Sequence, residues 1–243
     1  VTDSFEKIMI YTLIPAAATV IGGIIAAYRS PGPRTRISVQ HFAAGVVFAA
    51  VALELLPELV HNYEVISLTI GFSAGVALML SVRWAMSKIE NEGAVDSKKG
   101  SGGLLVASGV DVFIDGLLVG ISFEVGVREG IIITIALTIE LLFLAISAAS
   151  SLARNGAGKM KIIASTSALA LLVLLGASLG GGLLRGLSGN GLELVIAFAT
   201  AALLYLVTEE LLVEAHEGED TAFRSAMFFV GFLAILMIES FTK

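Results

Sequence analysis

Apolar residues run along this chain in long blocks, with most charged and polar residues gathered between the blocks and only a few set inside them. A hydrocarbon core about 30 Å thick takes about 20 helical residues to cross. Blocks of that length fall at residues 8–28, 38–60, 65–88, 102–124, 130–152, 160–184, 190–213 and 221–240. The pattern predicts an all-α integral membrane protein of eight transmembrane helices. Its connections are too short to hold a soluble domain, so residues 1–243 read as a single transmembrane domain. The longest polar interruption, NEGAVDSKKGS at residues 91–101, is the expected mobile loop.

Composition agrees with the pattern and removes several alternatives. Hydrophobic residues make up 56% of the chain and charged residues only 15%, against roughly 25% charged in a soluble domain. With 26 glycines and only 4 prolines, the chain fits membrane helices that pack through small residues rather than a disordered or collagen-like polymer. The small-xxx-small pairs Gly71 with Gly75, Gly116 with Gly120, and Gly176 with Gly180 are expected to serve helix contact. The absence of cysteine excludes disulfides, thiolate metal sites and a cysteine nucleophile. A cleaved signal peptide is not expected, because seven further apolar segments follow the first.

The basic residues predict the orientation. With the N-terminus outside, Arg29, Arg34, Arg36, Arg83, Lys88, Lys98, Lys99, Arg154, Lys159, Lys161 and Arg224 fall inside, and Lys7, Arg128, Arg185 and Lys243 fall outside. Positive charge on cytoplasmic loops sets topology, so a cell-membrane location with both termini outside is the expectation.

The charges inside the blocks carry the candidate chemistry. Asp111 and Asp115 lie deep in the fourth block and Glu140 in the fifth. A carboxylate within a membrane span is costly and by default marks an ion site, a pathway or a proton relay. The i,i+4 spacing of the two aspartates puts them on one helical face. If the fourth and fifth helices pack together, the three acids form an oxygen-only site for a divalent cation, with a coupled proton as a further occupant. A hydrogen-bonded cluster that merely joins the helices is the competing reading. Oxygen donors suit Mn²⁺, Mg²⁺ and Ca²⁺, and also admit Zn²⁺ and Fe²⁺. The metal would be transported cargo, with no permanent cofactor.

The ends of the second and seventh blocks, ELLPELV and EELLVEA, each place glutamates four residues apart, Glu54 with Glu58 and Glu210 with Glu214. These helices run in opposite directions, so a shared pattern is what an inverted repeat leaves. It predicts an outer vestibule at Glu54 and Glu58 and an inner one at Glu210, Glu214 and His216. Helix-end charges facing water are the alternative for Glu58 and Glu214. His41, His61 and His216 read as interfacial residues. No GxxxxGK[ST], HExxH or GxSxG motif is present, so nucleic acid is not an expected partner and an enzyme is not the expected function. The expected partners are the lipid bilayer, divalent cations and, in pairing, a second copy as a homodimer.

At these residues the chain resembles the ZIP family of divalent metal transporters. HFAAGVVFAAVALELLPEL (41–59) is similar to the family's second span, and DVFIDG (111–116) to its fourth-span signature. The resemblance implies a 3+2+3 helix arrangement and metal movement toward the cytoplasm between the fourth and fifth helices. The chain departs from the family pattern in having Asp111 at the usual histidine position and Val112 at the neighbouring polar one. Its fifth span keeps only Glu140 of the family's motif, and its sixth has no carboxylate. A single metal site with altered selectivity is therefore expected. Its rivals are a proton-coupled carrier of another cation or small solute, and a non-transporting structural or regulatory membrane protein.

Overall fold

The computed structural model describes residues 2–29, 32–61, 64–93, 100–183, 187, 189–213 and 221–242. Helix α1 spans Thr2–Tyr28. Helix α2 covers residues 33–61 and runs through a π turn at Val51–Leu55. Helices α3 to α6 are Val65–Gly93, Gly100–Val125, Val127–Arg154 and Lys159–Leu183. Helix α7 covers residues 190–213, with a π turn at Leu206–Leu211, and α8 is Ala222–Thr242. The loop expected at 91–101 is narrower than its composition suggests, since 91–93 and 100–101 are helical; residues 94–99 lie outside the described part.

Among the described residues, seven helices are long and apolar enough to cross a membrane, and α4 adds a further 26-residue helix. The molecule is an all-α, multi-pass membrane protein. Its outer surface carries Ile10, Leu13, Ile14, Ile70, Trp84, Leu171, Phe229 and Leu233 exposed, a distribution that suits hydrocarbon and would be untenable as one continuous patch in water. Among those seven helices α2, α5 and α7 are the most buried, whereas α3 and α8 lie at the periphery.

Because lipid is as apolar as leucine, burial alone does not drive these helices together, and close van der Waals contact must. Glycine supplies it. A Cβ at Gly116 would sit 2.2 Å from the Val173 carbonyl oxygen, and one at Gly176 would sit 2.2 Å from that of Phe113. Helices α4 and α6 therefore touch backbone to backbone, reciprocally. Gly71 and Gly75 bring α3 against Leu194 and Phe198 of α7, while Gly45 and Gly231 bring α2 and α8 together. The small-residue pairs thus serve packing. Helices α1, α4, α5 and α6 pack mainly on one another, α2 packs on α8, and α3 on α7.

Both π turns have local causes. Pro57 has no N–H to give Leu53 and its ring crowds that carbonyl, so the backbone just ahead of it widens. In α7 the Thr208 hydroxyl donates to the Leu204 carbonyl at 2.9 Å, which competes with the helix ladder where the π turn begins. Elsewhere such bonds keep hydroxyls satisfied inside helices, as Thr12, Thr19, Thr134 and Thr200 do by donating to the carbonyl four residues back.

Candidate functional site

Asp115 is 15 residues from the start of α4 and 10 from its end, which at 1.5 Å per residue puts it about 15 Å from the nearer terminus. Glu140 lies 13 residues from the start of α5 and 14 from its end. Both are at mid-span. Asp115 is 0% exposed and Glu140 1%. The α4–α5 corner, a single residue at Gly126, holds the two helices side by side.

Asp115 interacts electrostatically with Glu140 and also with Glu210 of α7, and Glu210 is hydrogen-bonded to Asp111. Four carboxyl groups from three helices therefore share one region. Neither Asp115 oxygen has a hydrogen-bond partner among the described residues, so the helices supply this acid with no N–H or O–H donor. Among the described residues, no three His, Asp or Glu side chains converge as a ready-made ligand cluster.

Glu210, expected at an inner mouth, thus meets the mid-span aspartate pair. Its neighbour Glu209 turns the other way and accepts a hydrogen bond from Arg83 of α3 at 2.5 Å. The π turn explains why a reading at i,i+4 spacing did not find this, since adding a residue per turn rotates every side chain beyond it. Glu214 and His216 lie outside the described residues.

At the other end of the bundle, Glu54 is buried in the α2 π turn and Glu58 is half-buried. Glu54 is ion-paired with Arg128 in the first turn of α5 at 3.7 Å, and the same guanidinium meets Glu239 of α8 at 3.3 Å. Glu239 was not among the expected site residues. Its signal was present, a lone acid in the apolar run ILMIESF near the end of α8, the end that topology puts beside the starts of α1 and α5. His41, expected at an interface, is buried, with Nδ1 3.0 Å from the Ile37 carbonyl oxygen.

Long apolar helices that meet through glycine and enclose acids at mid-span define a polytopic membrane protein with a buried ionisable centre. The ZIP family model, described as ZIP zinc transporter, matches residues 91–239, more than half of the chain and the part that holds Asp111, Asp115, Glu140 and Glu210. The chain belongs to the ZIP family. Membership makes it a transporter of metal ions rather than an enzyme. No individual curated protein matches the chain.

Proposed function

We propose that this protein carries a divalent metal cation across the membrane toward the cytoplasm, along a carboxylate-lined path between α4, α5 and α7. The observation that carries the reading is Asp115, fully buried, without a donor to its oxygens, and facing the fields of Glu140 and Glu210. Such a group calls for a positive charge, and a divalent cation answers two carboxylates at once. Asp111, Asp115 and Glu140 are the proposed ligands, joined by Glu210 from the inner side with Glu214 and His216 beyond it. Glu54 and Glu58 line the outer approach. Mn²⁺, Zn²⁺ and Fe²⁺ are the foremost cargoes, with Mg²⁺ and Ca²⁺ also suited to oxygen donors.

An eight-helix 3+2+3 arrangement with an inverted repeat is part of the same proposal. It is supported by π turns at matched places in α2 and α7. Exchanging the first three helices for the last three also turns the α2–α8 contact into the α7–α3 contact. The whole then forms one transporter domain, alone or as a homodimer.

Purified protein in vesicles, assayed with Mn²⁺, Zn²⁺, Fe²⁺, Mg²⁺ and Ca²⁺ at several pH values, is expected to take up at least one of them. Absence of flux for all five would overturn the reading. The gathering of these acids in one buried region favours a second version in which proton movement is coupled to the cargo. In that case uptake acidifies or alkalinises the vesicle lumen in step with metal, and an unchanged lumen pH removes it.

Both termini are expected outside the cell and residues 94–99 inside. Single cysteines at Ser4 and Ser97 can be added without removing any native thiol. A membrane-impermeant maleimide on whole cells should label only the first, and equal labelling would reject the eight-span orientation.

A further inference from the structure

Helix α5 packs chiefly on α1 and α4 and to a lesser extent on α2, whereas α2 packs chiefly on α8. Arg128 crosses between these groups, reaching Glu54 on α2 and Glu239 on α8 with one Nη2 atom. All three residues sit at the end of the bundle where α5 begins and where α2 and α8 end. The ion pair formed by Arg83 and Glu209 joins only two helices, α3 and α7, which are already in close contact.

The way Arg128 is held matters more than the fact that it is held. A guanidinium locked on a carboxylate makes paired bonds of about 2.7–2.9 Å. Here the contacts are 3.7 and 3.3 Å, Nε and Nη2 make no hydrogen bond among the described residues, and the side chain is 40% exposed. The two acids are nearly closed off, at 3% and 9% side-chain exposure. Arg128 also stands in the first turn of α5, where the helix dipole disfavours a cation. Attraction to Glu54 and Glu239 keeps it in place, with one side of the guanidinium open at the bundle surface.

We infer that Arg128 is an electrostatic latch that closes the Glu54 end of the path and must let go of Glu54 and Glu239 for that end to open. A cation arriving there can take over the two carboxylates as the arginine swings into water. With Arg128 gone, two buried acids lose a positive neighbour that they share, and water is drawn toward them. The inference rests on reading the chain as a transporter, but its test needs no flux.

The probe is a water-soluble maleimide acting on the purified full chain in detergent, with cysteine placed at Ala50 or Ala149, each 0% exposed. Ala50 is one turn below Glu54 on α2, and Ala149 is far along α5 in the core shared with Ala26 and Ile162. Arg128→Gln is expected to speed labelling of the cysteine at 50 by about tenfold or more and to leave the one at 149 protected. Arg128→Lys, which keeps the charge, should leave both protected. Unchanged labelling at 50 in Arg128→Gln would overturn the latch. Faster labelling at both positions would make Arg128 a structural brace and overturn it too, as would fast labelling at 50 in Arg128→Lys. A wild-type chain that moves no divalent cation would instead remove the transport reading and leave the labelling result standing.

Discussion

Asp115→Asn is expected to abolish most divalent-cation uptake, by on the order of 10²-fold or more, while the protein stays folded in the membrane. The amide keeps the shape of the side chain and removes the charge. At this position the charge has no structural partner to lose, because neither oxygen is hydrogen-bonded among the described residues. The substitution also takes away repulsion from Glu140 and Glu210, so the melting temperature in detergent should hold or rise. Flux in vesicles and melting in micelles, measured on the same preparation, separate loss of cargo binding from loss of fold. Uptake at the wild-type rate would show that the mid-span carboxylates do not carry the ion, although family membership would stand. Asp111→His gives the complementary result: a nitrogen donor there should shift uptake toward Zn²⁺ relative to Mn²⁺. It should also disturb the bond that Asp111 shares with Glu210.

Gly116→Leu is expected to have the largest effect on stability. Its Cβ would fall 2.2 Å from the Val173 carbonyl oxygen and 2.9 Å from the Val173 Cα, and these are backbone atoms that cannot rotate aside. Overpacking a tight contact costs about 1–3 kcal/mol and occasionally more. A leucine here belongs at the upper end, since α6 must move bodily. That movement also displaces α4, which carries Asp111 and Asp115, so transport should fail along with melting temperature. Gly182→Ala is the control, because nothing lies within 4 Å of a Cβ at that position of α6. It should be neutral or stabilising by about 1 kcal/mol, the difference between the two residues in helix propensity. Equal behaviour of the two variants would mean that the α4–α6 contact is not set by glycine.

That the chain is helical and membrane-spanning, and roughly where each helix runs, is legible in its residues alone, because a hydrocarbon slab imposes a length and a polarity on every crossing segment. The sequence also marked Asp111, Asp115 and Glu140, since charge inside an apolar run stands out without any structure. Glycine spacing pointed to close helix contact, but which helices would meet was not written in the spacing. That α4 pairs with α6 and α3 with α7 emerges only once the helices are packed in three dimensions. The structure likewise decided that Glu210 meets Asp111 and that Arg128 joins Glu54 to Glu239. The reason is the same in both cases. Each partnership links residues more than 70 positions apart, and each involves a glutamate in a π turn, where the extra residue per turn breaks the 3.6-residue period on which a sequence reading of helical faces depends.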